Sequence, residues 1–209
     1  TVGSTECSTE TGRVEVQGED AQWTNTGDLT IGCSAFVNNG EVLITDGGQV
    51  IGQGSTVIES SGEVRISGAE SLFRIDSSPS SGSGEGTLTL EGTGRLTLGA
   101  QSGLTVEAPG VVDAAKVLIN GNGTLSFNHN DSDYVFEPVI DGGGVINISA
   151  GITELTGGFG EEAANGQIQI QSGGTLKIGA DQALDADHMF NWFGGTLQLA
   201  VTDTQTYGQ

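Results

Sequence analysis

Between Phe127 and Pro138 the chain reads FNHNDSDYVFEP, and this run holds its densest set of residues able to do chemistry. Asp131 and Asp133 stand two positions apart, so on an extended segment both carboxylates share a face. Two opposed carboxylates are what glycoside hydrolysis requires, one as acid and the other as base or nucleophile. Asn128, Asn130, Asp131 and Asp133 together offer the hard oxygen donors that calcium takes. His129 and Tyr134 lie beside them. The plainer reading is an exposed polar turn between Phe127 and Val135, and it is the one adopted: no catalytic residue, cofactor or metal ligand is assigned from sequence.

Other chemistry-bearing residues are isolated. A polysaccharide lyase needs a basic proton acceptor beside calcium-holding carboxylates. The six basic residues Arg13, Arg65, Arg74, Arg95, Lys116 and Lys177 are instead scattered along the chain. His188, in DADHMFNWF, reads as part of a C-terminal cover, to which Trp192 and Phe193 would contribute. If that aromatic cluster is exposed, it marks a partner site or the junction to a further segment. Trp23 is expected to pack on the end of a coil; a carbohydrate-stacking role has no second aromatic at matching spacing. No GxSxG, HExxH or phosphate-binding loop is present, and the many Gly-x-Gly matches are turn glycines.

The elements that must carry these residues announce themselves through one phrase, glycine-x-aliphatic-x-aliphatic. It begins at Gly12, Gly27, Gly40, Gly62, Gly86, Gly94, Gly123, Gly144, Gly166, Gly174 and Gly195. Each copy reads as a turn glycine followed by a short strand whose alternate side chains point one way. The steps Gly40 to Gly62, Gly62 to Gly86, Gly123 to Gly144, Gly144 to Gly166 and Gly174 to Gly195 are 21 to 24 residues. Extra copies follow their neighbours by 8 residues at Gly94 and Gly174. One such unit cannot bury its own apolar face, so copies must stack.

The expected fold is therefore all-β, a right-handed parallel β-helix with about 21 to 24 residues per coil. Residues 12 to 199 would make roughly eight or nine coils, a rod on the order of 40 Å long at the inter-strand spacing. An antiparallel sandwich or barrel also shows short strands with regular turns, but the length quantum and constant motif phase favour the solenoid. The whole chain, 1 to 209, reads as one domain: an N-terminal edge over 1–11, regular coils over 12–179, and an irregular C-terminal cover with a last coil over 180–209. The serine- and glycine-rich stretch Ser77 to Gly86 has no side chain able to anchor a core and is expected to bulge as a mobile loop. Ala180 to Phe193 is the one stretch with helical character.

Cys7 and Cys33 lie 26 positions apart, slightly more than one coil, and are expected to form a disulfide across adjacent coils. The chain-entropy model gives such a link about 3.5 kcal/mol. The alternative is two unpaired buried thiols. A metal site is disfavoured because there is no CxxC and no nearby histidine.

Charge narrows the partners. Six Lys and Arg against 27 Asp and Glu give a formal charge of −21, which repels nucleic-acid phosphates and anionic membranes alike. The 36 glycines are spread between aliphatic pairs, which fits turns rather than disorder. No apolar run approaches the ~20 residues a membrane helix needs, and the opening TVGSTECSTE is not a signal peptide, so a mature or excised fragment is expected.

Three stretches carry a family resemblance. Residues 140–178, from IDGGG to GTLKI, resemble the autotransporter-associated β-strand repeat. TLSFNHNDSDYVFEPVIDGGG is similar to a segment of passenger domains in AIDA-type bacterial autotransporters, and Gly18 to Gly32, GEDAQWTNTGDLTIG, resembles a unit of large bacterial surface passengers. Together they span roughly half the chain; Gly158 to Asn165 departs from the repeat's usual turn. The resemblance implies a type V secretion passenger at the bacterial cell surface or outside the cell, exported through a C-terminal outer-membrane barrel. Its expected work is adhesion to a host or bacterial surface protein or glycan, with self-association, cell aggregation and biofilm formation in the same range. The alternatives are a structural stalk for an effector, or a secreted β-helical carbohydrate-active enzyme.

Overall fold

The computed structural model describes residues 12–33, 40–77, 84–101, 103–160, 166–179 and 189–199. Among them every regular element is a strand. The strands come in triplets: β1 (Gly12–Gln17), β2 (Gln22–Asn25) and β3 (Leu29–Ile31), then β4 (Gly40–Thr45), β5 (Gln49–Gly52) and β6 (Thr56–Ile58). The third triplet is β7 (Gly62–Ser67), β8 (Leu72–Ile75) and β9 (Thr87–Leu90); the fourth is β10 (Arg95–Gly99), β11 (Val111–Asp113) and β12 (Lys116–Ile119). The fifth is β13 (Thr124–Asn128), β14 (Tyr134–Phe136) and β15 (Val139–Asp141). Four further strands follow: β16 (Val145–Leu155), β17 (Gln167–Ile178), β18 (Met189–Phe193) and β19 (Thr196–Leu199).

Strands in equivalent places pair side by side, and every strand-to-strand pairing is parallel. Three sheets result. Sheet A runs β1-β4-β7-β10-β13-β16-β17-β18, with β14 on β16 and β19 on β17; sheet B runs β11-β8-β5-β2 and sheet C runs β15-β12-β9-β6-β3. All-β architecture with parallel sheets stacked in register is compatible with the expected solenoid.

Alternation along each strand sets what is buried. In sheet A the column Val42, Val64, Leu96, Leu125, Ile146 and Ile168 faces inward, and each partners the next across the ladder. Sheet B adds Val50, Phe73 and Val112, and sheet C adds Ile58, Leu90 and Ile119. Like residues thus stack on like, and a fully buried aliphatic is worth about 1.5 to 3 kcal/mol.

The ladder corrects the reading of the repeat. Gly40 pairs with Gly62 as expected, but the next partner in sheet A begins at Arg95, not after Gly86. Strand β9, which carries the Gly86 copy, pairs with β6 and β12 in sheet C. The two copies eight residues apart at Gly86 and Gly94 are therefore consecutive strands on different faces. At Gly166 and Gly174 the paired copies instead fuse into the single 12-residue β17. Sheet-A partners recur after 28, 22, 32, 29, 21, 22 and 22 positions, so the quantum is broken where connections lengthen. The motif misled because any strand after a turn glycine alternates the same way, whichever sheet it joins.

The C-terminal part differs from expectation too. Met189–Phe193 is strand β18 rather than helical, pairing in parallel with Gln167–Gln171; Phe190 packs against the core opposite Ile168, while Trp192, opposite Ile170, is exposed. Residues 180–188 lie outside the described residues, as do 78–83 of the Ser77 to Gly86 loop and the whole 1–11 edge.

Candidate functional site

The acidic run sorts into an interior and a rim. Asn130 to Asp133 is exposed, as a polar turn should be, but Asn128, His129 and Tyr134 are buried. The physical cause is a shift in register. Phe127 pairs with Ile148 but Asn128 pairs with Ala150, so the chain jogs at the corner and turns its polar residues inward. Asn128 Nδ2 donates to the Ala100 carbonyl at 2.7 Å, which takes it out of any ligand set with the turn. Tyr134 Oη donates to the Gly110 carbonyl at 3.0 Å. His129 Nε2 lies 2.9 Å from Thr153 Oγ1, and both residues have no solvent exposure. The rings of Phe127 and Phe136 meet edge to face at 5.2 Å, and those of His129 and Tyr134 stand 5.1 Å apart.

Electrostatics at the corner follow burial. Loss of water lowers the His129 pKa below its usual 6.5, with Asp131 opposing the shift, so the ring is neutral at pH 7. Burial pushes Tyr134 well above the ordinary phenol range, and the Asp131 and Glu137 carboxylates add to it. The second ring nitrogen of His129, Nδ1, is buried with no hydrogen-bond partner. It abuts Gly151, where even a methyl group would collide with the imidazole. Asp131 is used in the turn: its Oδ1 accepts from the Asp133 amide at 2.9 Å, an Asx turn, and its carbonyl accepts from the Ile152 amide at 2.9 Å. Asp133 pairs with Lys177 Nζ at 3.1 Å. Among the described residues no group of three or more His, Cys, Asp or Glu gathers as metal ligands would. The corner reads as a folding device that fixes a bend.

The remaining sequence candidates fall apart in space. Trp23 sits within β2, opposite Val50 and half-buried against the core, rather than at the end of a coil. Cys33 is buried and its amide donates to the Ser60 carbonyl at 3.1 Å, while Cys7 lies outside the described residues, so their pairing remains an expectation from sequence. His188 likewise lies outside them. Of the basic residues, Arg13 pairs with Glu15 at 3.3 Å and with Glu41 on the next strand at 3.6 Å. Arg74 pairs with the buried Asp76 at 3.3 Å, and Lys116 with Asp141 on the neighbouring strand at 2.7 Å. Arg65 lines a shallow groove with Glu15, Asp46 and Glu107. Scattered in sequence, these cations serve local carboxylates.

What the sequence did not display is the outward face of sheet C. Register aligns Thr30, Val57, Thr89, Leu118 and Asp141 in one column, with Thr87, Lys116 and Val139 in a second. Among the described residues of these two columns the charged ones are Lys116 and Asp141, paired at 2.7 Å. Five strands at ~4.8 Å spacing give a flat strip of about 19 Å. Asp28, Glu59 and Glu91 flank the strands in sequence, placing carboxylates at the rim. On a chain of net charge −21 such a strip is conspicuous. Sheet A supplies a second uncharged surface in its later strands, where Ser126, Asn147, Gln169 and Asn191 align. Amides there join diagonally, Gln171 Nε2 to Asn147 Oδ1 at 3.4 Å and Asn191 Nδ2 to Gln167 Oε1 at 3.3 Å. In contrast, the earlier strands of sheet A turn Arg13, Glu15, Glu41, Glu63, Arg65 and Arg95 outward.

Among the described residues no helix is long and apolar enough to cross a membrane. Compared with protein-family models, with curated proteins and with solved structures, the chain matches none.

Proposed function

We propose that this chain is a right-handed parallel β-helical passenger of a type V autotransporter, displayed on a bacterial surface and acting by contact. Its work is adhesion to a host or bacterial surface protein or glycan, or aggregation of cells into biofilm. The observation that carries the reading is the outward strip of sheet C, which has no net charge on a chain of net charge −21. A protein partner approaching this strip meets threonine, valine and leucine rather than the unpaired carboxylates that give the chain its net charge. The parallel, in-register sheets and the passenger-like stretches described above support the same reading.

The mechanism is additive. Each threonine hydroxyl can exchange a hydrogen bond worth about 0.5 to 1.5 kcal/mol, and burying Val57 and Leu118 adds apolar area. Single contacts are weak, so many displayed copies acting together supply the strength. The test is display of the 209-residue chain on non-adherent bacteria, scoring settling and retention on epithelial and abiotic surfaces. Wild type is expected to confer one or both; a Val57→Glu/Leu118→Glu double variant, displayed at equal level, is expected to lose them. Unchanged adherence of the double variant removes sheet C from the reading. A displayed wild type that confers nothing favours the stalk.

A further inference from the structure

The turn that carries the chain from β12 to β13 contains the pair Asn-Gly twice in succession, as Asn120-Gly121-Asn122-Gly123. In such a pair the main-chain nitrogen of the glycine can attack the side-chain amide carbon of the asparagine, since no Cβ on the glycine stands in the way. Asparagine is thermolabile through reactions of this kind. The two pairs have the same sequence chemistry, so a difference between them comes from the fold.

The fold treats the two nucleophiles oppositely. Gly123 is buried and its amide donates to the Asn120 carbonyl at 3.1 Å, so its nitrogen is committed to closing the turn. Gly121 is exposed, with a left-handed φ of +62°, and its amide donates to no acceptor among the described residues. The site is uncrowded: a Cβ built at Gly121 would meet nothing nearer than the Gly92 carbonyl oxygen at 3.5 Å. Asn120 is half-buried, and its side-chain amide likewise makes no hydrogen bond among the described residues. On either side the turn is anchored, for the Asn120 and Asn122 amides donate to the Leu90 and Gly92 carbonyls at 2.8 Å each.

We propose that Asn120 is a site of spontaneous deamidation and that Asn122, two residues along the same turn, is protected by the fold. The Gly121 nitrogen forms a C–N bond to the Asn120 side-chain carbon, water carries its proton to the departing side-chain nitrogen, and ammonia leaves. A five-membered succinimide results. Water then adds to one of the two ring carbonyls and the C–N bond at that carbon breaks, giving aspartate or the β-linked isoaspartate. The reaction consumes one water, releases one ammonia and needs no other reactant.

Register gives the change a physical consequence. Ile58, Leu90 and Ile119 pair across sheet C, and the Glu91 and Asn120 amides extend that ladder to the Ile58 and Leu90 carbonyls at 2.8 Å each. Asn120 therefore holds the place that Glu59 and Glu91 hold on the two preceding strands. A carboxylate at 120 makes three in a row at the ~4.8 Å strand spacing, on a chain already at −21. The β-linked product also lengthens the main chain inside a turn closed by the Asn120 carbonyl.

Peptide mapping by mass spectrometry, on the whole chain held folded at about 37 °C and pH about 8 for about two weeks, is the test. A gain of about 1 Da localised to residue 120 by fragment ions is expected, as separable aspartate and isoaspartate peptides, appearing at least fivefold faster than at residue 122. In about 6 M guanidinium chloride the two asparagines should react at similar rates, which assigns the selectivity to the fold. Gly121→Ala should slow reaction at Asn120 at least fivefold in the unfolded chain too, where strain in the turn plays no part. A folded chain in which Asn120 stays intact overturns the proposal. So does a folded chain in which Asn122 reacts as fast as Asn120, or a preference for Asn120 that persists unchanged in guanidinium chloride.

Discussion

Gly151 and Gly103 form a matched pair that isolates what the His129 corner contributes. Both have left-handed backbones, with φ of +79° and +85°. Alanine at either position therefore takes on a comparable backbone penalty, roughly 1 to 2 kcal/mol. Their surroundings differ. Around Gly103 a Cβ meets nothing within 4 Å, whereas at Gly151 it falls onto the His129 imidazole and within 2.6 Å of the His129 carbonyl oxygen. The ring cannot retreat freely, since Nε2 is held 2.9 Å from Thr153 Oγ1 and Tyr134 packs at 5.1 Å. Overpacking of this sort adds about 1 to 3 kcal/mol. Gly103→Ala should thus lose about 1 to 2 kcal/mol and Gly151→Ala about 2 to 5 in urea unfolding at pH 7, read by circular dichroism. Equal losses for the two variants would refute the reasoning, for they would show that the corner yields without cost.

Three other outcomes follow from the same geometry. Because burial lowers the His129 pKa in the folded chain, the unfolded chain binds the proton first as pH falls below about 6.5. Stability from this group is therefore complete above pH 6.5 and declines toward the folded-state value, and the wild-type minus His129→Leu difference in urea midpoint between pH 7 and 5 should show that decline. A flat difference contradicts it. Phe73→Ala, at a fully buried position in sheet B, should cost about 3 to 5 kcal/mol in the same assay. Lys116→Ala removes the 2.7 Å ion pair to the Asp141 carboxylate, which is 8% exposed and keeps the Gly142 amide as a donor, and should cost about 1 to 2 kcal/mol after allowing for the half-exposed lysine; Asp133→Asn, whose carboxylate is largely exposed, should cost under about 0.5.

Strand identity was legible in the sequence because a turn glycine followed by alternating aliphatics has one economical conformation. Strand neighbours were less so. GTLTL at Gly86 and GRLTL at Gly94 look alike, yet one joins sheet C and the other sheet A; only the distance between partners along the stack separates them, and the long connections hide it. His129 was obscured for a related reason. Polar text around it reads as a turn, and the register jog after Phe127 that buries it has no marker in composition. The sheet C strip is invisible in one dimension. Thr30, Val57, Thr89 and Leu118 are unremarkable alone and become a surface only when register stacks them. The aromatic cluster at Trp192 and Phe193 is plain in the sequence, but its register opposite Ile170 is hidden by the preceding alanine-rich run.

The most direct measurement is the distance between spin labels on one sheet A column. Glu15, Leu43, Arg65, Thr97, Ser126, Asn147, Gln169 and Asn191 succeed one another across seven parallel steps. Labels carried on a non-cysteine residue at positions 15 and 191 should lie about 34 Å apart, and at 15 and 126 about 19 Å, from the ~4.8 Å spacing of paired strands. Distances growing in that proportion are the expected result. A 15–191 separation no longer than the 15–126 one would contradict parallel stacking in register, and the surface-contact proposal with it.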